Sequence, residues 1–344
     1  MHELIKLEKK IVPELVELIE KRYSILRNIY YNEPIGRRIL ANKLGIGERI
    51  VRTEINFLKN ENLIEVNTPG MSVTEEGKQV LEKLKDFIYQ IKGLDDIEET
   101  LKKQLQLGKV IIVPGDVEEE NIIINELGKA AANFIKDNIE HNNIISLTGG
   151  TTVKSVIDNM PKINKINNLT VLPARGGMGR NVSIQSNTLV SRLAEKINAN
   201  YRLLHVPDDL SDVALNAVLN EKSVKDITDK IQSSDMLIFG IGKAEEMALK
   251  RGMNEKEIQD LLLKGAEAEA FGYYFSQKGE AVHCNPTIGI KIEDLEKIKF
   301  GVAVAAGKSK ARAILAAEMN LHSKVLVTDE GAAREILKLI QQDL

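Results

Sequence analysis

The strongest constraint on the fold is a series of seven short apolar segments in the second part of the chain, separated by longer amphipathic stretches. The segments are residues 110–115, 144–150, 169–177, 201–207, 236–242, 300–308 and 324–330. Unbroken apolar runs are typical of strands buried on both faces, and helices between them imply parallel crossovers. Residues 109–344 are therefore predicted to form an α/β domain with a doubly wound, mostly parallel sheet. Residues 271–283 interrupt the alternation and are predicted to be an inserted hairpin.

Small or basic residues follow several of these predicted strands, where such sheets bind ligands. The loops are 148–152, 174–177, 240–243 and 307–310, and Lys250 and Arg251 follow the third loop after one helix. Glycine and threonine let backbone amides approach a ligand, and the next helix N-terminus favours an anion. The four loops together predict a ligand with more than one anionic group, although a glycine after a strand is also ordinary helix-entry geometry.

Two familiar nucleotide motifs are excluded by their spacing. "GKS" at 307–309 lacks the earlier glycine of a P-loop, because Val302 stands at that position. "GGMGRN" at 176–181 lacks the third glycine of a dinucleotide fingerprint. His205 and His283 are isolated and lack metal-ligand spacing. We therefore predict no metal and no cofactor.

Residues 1–89 are predicted to form a winged helix-turn-helix. Helical patterns at 24–31, 34–46 and 47–62 precede two short strands around a Pro-Gly turn and a final helix that Thr74 caps. This order, with the short turn "LGIG" between the second and third helices, is typical of winged helix domains. Apolar residues expected to face inward are Ile39, Leu40 and Leu44 in the second helix and Val51, Ile55 and Leu58 in the third.

The charge distribution favours DNA as the partner of this domain. The whole chain has a net charge of −3, but residues 21–60 carry nine Lys or Arg against three acids. The outer face of the third helix has cations and amides and no acid, which suits phosphates and base edges. The predicted DNA-binding residues are Arg37, Arg38, Arg49, Arg52, Thr53 and Asn56. The alternative is a small helical cap with a solvated basic face.

Residues 90–108 are predicted to form a linker helix. Leu94, Ile97, Leu101 and Leu105 are spaced three or four residues apart, which places them on one face. That face either makes a coiled-coil contact in a dimer or packs on its own domain.

Six motifs after the winged helix pattern resemble the SorC/DeoR-type sugar-binding transcriptional regulators, and the resemblance covers essentially the whole chain. The motifs are "SLTGGTT", "ARGG", "FGIG", "EAFGYYF", "VAAGKSKARAIL" and "VLVTDEGAA". It implies the fold of glucosamine-6-phosphate deaminase and ribose-5-phosphate isomerase, used for sensing. It also implies a DNA-binding repressor of central glycolytic genes that forms homodimers or homotetramers on operator DNA. The implied effector is a phosphorylated sugar, fructose 1,6-bisphosphate.

The resemblance also implies the effector-binding residues. They are Gly149, Gly150, Thr151, Thr152, Arg175, Lys250, Arg251, Glu269 and Lys310. Which of Lys250 and Arg251 reaches the ligand stays open. From the residues alone, Glu269 in "GAEAEAF" is a helix-surface acid; as a ligand contact it would accept sugar hydroxyls.

Two other functions remain open. An isomerase or deaminase would need a general base, for which Asp208, Asp209, Asp235 and Glu269 are candidates. A regulator could also be tuned to a sugar monophosphate or a non-phosphorylated sugar. We predict a regulator and no enzyme.

A cytoplasmic location without a membrane partner is expected. The chain has a single cysteine, no apolar run of the roughly 18 residues that a membrane span needs, and a charged N-terminal stretch unlike a signal peptide.

Overall fold

The computed structural model describes residues 11–177, 181–206 and 212–342. The chain divides into two compact units, Met1–Asp96 and Ile97–Leu344. The elements of the first unit are α1 (Pro13–Asn32), α2 (Arg37–Leu44), α3 (Glu48–Asn60), β1 (Ile64–Asn67), β2 (Gly70–Val73) and α4 (Glu75–Ile91).

The first unit is a winged helix-turn-helix, as predicted. Gly45 ends α2 in the left-handed conformation (φ 64°), and Gly47 begins α3, so the chain turns sharply between the two helices. The wing is an antiparallel hairpin, and Ile35 pairs with Met71 through two backbone hydrogen bonds. Thr74 Oγ1 accepts a hydrogen bond of 3.0 Å from the amide of Gly77, which confirms the predicted cap of α4.

The core of this unit contains the predicted stripe of α3, because Val51, Ile55 and Leu58 are buried. Leu40 of α2 is buried too and Leu44 packs against the same core. The prediction for Ile39 is wrong: its side chain is 58% exposed. Leu40 and Leu44 share a face at helical spacing of four residues, and Ile39 lies about 100° away from Leu40 around the axis.

The second unit alternates strands and helices. Its elements are α5 (Leu94–Gln104, which spans the boundary between the units), β3 (Lys109–Val113), α6 (Ile123–Asn138), β4 (Ile144–Leu147), α7 (Thr151–Asn159), β5 (Thr170–Pro173), α8 (Ser186–Ile197), β6 (Asn200–Tyr201), α9 (Asp212–Leu219), α10 (Lys222–Gln232), β7 (Met236–Phe239), β8 (Gly242–Lys243), α11 (Ala244–Arg251), α12 (Glu255–Leu263), β9 (Ala266–Ala270), β10 (Tyr273–Ser276), β11 (Ala281–Cys284), β12 (Phe300–Val304), α13 (Ala311–Leu321), β13 (Val325–Asp329) and α14 (Glu330–Gln342).

All seven predicted strands meet in one sheet, in the order β3-β13-β12-β7-β4-β5-β6. Every pairing between neighbours in that sheet is parallel among the described residues. The apolar runs have the expected cause, since all residues of β7 and β13 are buried. The strand order reverses between β4 and β7, and ligands of such sheets bind at a reversal of this kind.

The inserted hairpin is present as β10 and β11 and belongs to a second, antiparallel sheet with the order β11-β10-β9-β8. The segment 266–270 is strand β9, so the interpretation of Glu269 as a helix-surface acid is wrong. Alanine and glutamate both favour helices, but their strict alternation here has the period of a strand.

Helix α5 is buried along its apolar stripe within the single chain. Ile97, Leu101 and Leu105 are each at most 8% exposed. The carboxylate of Glu98 accepts a hydrogen bond of 2.7 Å from the amide of Ile112 in β3. These contacts favour the interpretation of this segment as a helix packed on its own domain.

Candidate functional site

A cavity opens at the carboxyl edge of the parallel sheet, at the reversal between β4 and β7. It is lined by the loops after β4, β5 and β7 and by Lys310 after β12. The structure brings together all the predicted effector residues except Arg251. Those on the cavity wall are Gly149, Gly150, Thr151, Thr152, Arg175, Lys250, Glu269 and Lys310.

The loop after β4 brings the N-terminus of α7 to the cavity. Gly150 caps α7 with φ +117° and has no side chain to occupy the first-turn amides. Its own amide donates to the Ile184 carbonyl (2.9 Å). At Gly149 a Cβ atom would lie 2.5 Å from that same carbonyl oxygen, so only glycine fits there. The amides at the start of α7 therefore face a cavity that favours an anion.

A second helix N-terminus reaches the same cavity, and the sequence analysis missed it. Gln185 caps α8 through its backbone, makes no side-chain cap bond, and lines the cavity with Ile184 and Ser186. The polar run "NVSIQSNT" before an amphipathic helix is the signal that could have indicated it. Two helix N-termini at one cavity strengthen the preference for negative charge.

Three donors hold one oxygen of Glu269. Its Oε1 accepts from Arg251 Nη2 (2.5 Å), from the Gly272 amide (2.7 Å) and from Arg175 Nη1 (3.3 Å). The side chains of Glu269, Arg251 and Arg175 are each at most 6% exposed. Burial and the neighbouring Arg251 lower the pKa of Arg175 to about 10, which leaves the guanidinium charged at neutral pH.

The pair Lys250 and Arg251 is separated by this arrangement. Lys250 is exposed and lines the cavity, whereas Arg251 lies buried against Glu269 and is not among the lining residues. The two side chains therefore have different surroundings, one open to a ligand and one in the framework that holds a carboxylate.

Two lysines, Lys250 and Lys310, line the cavity. Burial lowers the pKa of Lys310, and the charges that act on it most are those of Glu246, Lys250, Lys243 and Glu118. Lys250 and Lys310, together with Lys243, which acts on Lys310 but is not among the lining residues, are called the lysine corner below. Glu246 also lines the cavity, and sequence analysis gave it no role.

The loop after β12 departs from expectation. The Gly307 amide donates to both carboxylate oxygens of Asp329 (3.0 and 3.1 Å), and the Ser309 amide donates to Glu118 Oε1 (3.1 Å). Acidic side chains of the chain already occupy these amides, so the prediction that this loop offers them to an anion is wrong. It contributes Lys310 to the cavity.

Of the two described candidates for a general base, Glu269 lines the cavity and Asp235 does not. Asp208 and Asp209 lie outside the described residues. Asp235 precedes β7 at the amino edge of the sheet, where its Oδ2 accepts a hydrogen bond of 2.7 Å from Ile144. Glu269 lines the cavity, but three donors fix its Oε1, which suits a held acceptor better than a proton carrier.

In the first unit, the predicted DNA-binding residues lie on one exposed face. Arg37, Arg38, Arg49 and Arg52 line a groove between α2 and α3, and Thr53 and Asn56 are exposed on α3. The face is not free of acids, because Glu48 lines the groove and lies 3.5 Å from Arg38.

The other acid of α3 is turned away from this face. Glu54 is buried, and its carboxylate contacts Lys21 (2.7 Å) and Arg22 (2.8 Å) of α1. Burial acts to raise the pKa of Glu54, but the hydrogen bonds from Lys21 and Arg22 outweigh it and lower the pKa. Of the two acids in α3, only Glu48 in the first turn therefore lies on the exposed side.

Within the described parts of the chain, no three His, Cys, Asp or Glu side chains are grouped so that they could hold a metal ion. No helix there has the length and apolar character to cross a membrane.

The fold agrees with the comparisons to known proteins. Residues 18–88 match the family of CggR N-terminal DNA binding domains, and residues 89–338 match the family of sugar-binding domains named Sugar-bind. The chain belongs to the SorC family of transcriptional regulators, in which a DNA-binding domain precedes a sugar-binding domain.

Among individual relatives, the chain is 42% identical to the Central glycolytic genes regulator of Bacillus subtilis, over 98% of this chain and 99% of that protein. It is 42% identical to the protein of the same name from Priestia megaterium, with the same coverage. A solved SorC family regulator from Enterococcus faecalis is 35% identical, with a TM-score of 0.66 over 70% of this chain and 99% of that one. The full-length sorbitol operon regulator SorC from Klebsiella pneumoniae shares the fold, at 20% identity and a TM-score of 0.64, over 94% of this chain and 99% of its own.

Proposed function

We propose that this protein represses an operon of central glycolytic genes and that fructose 1,6-bisphosphate, bound in the cavity of the second unit, modulates its hold on operator DNA. The identity to two proteins named Central glycolytic genes regulator supports the gene target. The exposed basic face of α2 and α3 supports the DNA-binding role.

The observation that carries the effector proposal is that two helix N-termini line one cavity together with Lys250 and Lys310 of the lysine corner. A sugar bisphosphate has two dianionic ends and a hydroxylated middle. One phosphate would bind at the amides of Thr151 and Thr152, close to Arg175, and the other at the lysine corner. Glu269 Oε2 would accept a sugar hydroxyl between them. A carboxylate in that place repels a phosphate but suits a hydroxyl donor.

The proposed switch acts through assembly. We take the working form to be a homodimer or homotetramer on the operator, in which the effector changes how subunits pack and therefore how the DNA-binding domains are spaced. Effector and operator must then influence each other's affinity by the same factor.

Calorimetry with purified protein tests this directly. Fructose 1,6-bisphosphate is titrated into the free protein and into its operator complex, and fructose 6-phosphate serves as the matched monophosphate. We expect the bisphosphate to bind more tightly than the monophosphate, and its affinity to differ between free and operator-bound protein. Equal affinity in both states would disprove the switch. If fructose 6-phosphate bound more tightly than the bisphosphate, the monophosphate would be the effector.

A further inference from the structure

One acidic side chain lies in a cavity built for anions. Glu246, in the first turn of α11, lines the cavity that Lys250, Lys310 and two helix N-termini also line. Its Oε1 lies 3.4 Å from Lys243 Nζ. A carboxylate at this place opposes the binding of phosphate, so its presence needs an explanation beyond the proposed binding role.

The charge of Glu246 acts on other lysines besides Lys243. Burial lowers the pKa of Lys310, and among the charges that counteract this loss the carboxylate of Glu246 is the strongest. Lys250 lies four residues after Glu246 and so on the same face of α11. Glu246 thus partly neutralises the corner that the second ligand phosphate would use.

The ion pair between Glu246 and Lys243 is weak enough to be broken. Its side chain is 49% exposed and that of Lys243 is 34% exposed, so water screens the pair. Glu118, the other acid near Lys310, is anchored by the Ser309 amide. Within the described residues Glu246 has the ion pair with Lys243 and no comparable backbone anchor. Of the two acids, Glu246 is the one that can swing out to solvent.

We propose that Glu246 is a built-in competitor of the effector: its carboxylate occupies the lysine corner in the unliganded protein and gives way when a ligand phosphate binds there. This inference rests on the proposed function of the same cavity. The observed affinity is then the intrinsic affinity multiplied by the fraction of time that the corner is free of the carboxylate. This fraction helps to set the effector concentration to which the protein responds.

The chain offers a matched control for the test. Glu245 precedes Glu246 on the same helix turn, is exposed, and does not line the cavity. Glu246→Gln and Glu245→Gln therefore remove the same charge from nearly the same place. Measurements at about 0.15 M salt screen the long-range field of both positions.

We expect Glu246→Gln to bind fructose 1,6-bisphosphate about two- to fivefold more tightly than the wild type, the range of a part-exposed ion pair. Glu245→Gln should stay close to wild-type affinity, and the melting temperatures of the three unliganded proteins should agree. An equal gain in affinity in both variants would contradict the proposal, because the effect would then come from the loss of negative charge in general and not from the position of Glu246. Unchanged or weaker binding by Glu246→Gln alone would overturn the proposal, and weaker binding would make Glu246 a ligand contact.

Inorganic phosphate separates this inference from the proposed effector. If the wild type binds neither fructose ester, the effector proposal fails. Tighter binding of inorganic phosphate by Glu246→Gln than by Glu245→Gln would still support the competitor. Equal or absent phosphate binding in both variants would overturn it.

Discussion

Arg251 Nη2 lies 2.5 Å from Glu269 Oε1, and the two side chains are only 5% and 4% exposed. The contact makes Arg251 part of the framework that holds the carboxylate, while its neighbour Lys250 lines the cavity. Adjacent basic residues in one helix therefore have different surroundings, and the sequence pair "KR" alone does not tell them apart.

Substitution should separate the two residues. Arg251→Gln leaves a buried carboxylate with less compensation, and we expect the free energy of unfolding to fall by about 3 kcal/mol. Lys250→Gln should change stability by less than about 0.5 kcal/mol but weaken fructose 1,6-bisphosphate binding by about tenfold. Thermal melting of both variants measures the change in stability, and calorimetry measures the change in affinity for fructose 1,6-bisphosphate. A stable Arg251→Gln protein that does not bind, beside a Lys250→Gln protein that binds normally, would reverse the assignment.

A second prediction concerns DNA binding by the exposed face of α3. Arg52→Ala should weaken binding to the specific operator by about 1–3 kcal/mol if its guanidinium contacts a base, and weaken binding to unrelated DNA much less. Lys43→Ala removes an exposed cation from the last turn of α2 and serves as the control. Mobility shifts with both DNAs measure the difference. An equal loss on both DNAs would limit Arg52 to phosphate contacts, and no loss would remove it from the interface.

A buried carboxylate outside the cavity predicts a dependence of stability on pH. Glu318 is fully buried at the end of α13, where it accepts hydrogen bonds from the Ser323 hydroxyl (2.7 Å) and amide (3.1 Å). Burial raises its pKa from the usual 4.5 to about 7, against the effect of both hydrogen bonds. The folded state then binds a proton that the unfolded state releases, so this group's contribution is lost as the pH rises from about 4.5 through 7.

Glu318→Gln should therefore stabilise the protein at pH 8, by up to about 3 kcal/mol, and change little at pH 4.5. The glutamine can accept from the Ser323 amide and donate to its hydroxyl, so the contacts survive. Melting curves at both pH values, with the exposed Glu296→Gln as control, check this. A gain that is the same at both pH values, or absent at pH 8, would contradict the assigned pKa.

The sequence predicts the main sheet well because its signal is strong and simple. Strands buried on both faces, such as β7 and β13, must be apolar throughout, and the helices between them need long amphipathic segments. The loops at the ends of β4, β5 and β7 then meet at one edge for topological reasons. Their glycines could be placed together without any coordinates.

Other features depend on contacts that periodicity does not encode. Ile39 is apolar but faces outward on α2, and only its position relative to Leu40 and Leu44 decides this. Glu269 lies in a short strand whose alanines favour helix, and its partner Arg251 comes from a different element. The closure of the Gly307 loop by Asp329 and Glu118 brings together residues far apart along the chain.

The most direct test of the central claim is a crystal structure of the protein with fructose 1,6-bisphosphate. The account predicts one phosphate at the amides of Thr151 and Thr152, the other at the lysine corner, and a sugar hydroxyl beside Glu269. A cavity that stays empty at saturating ligand, or density for the sugar elsewhere on the second unit, would contradict it.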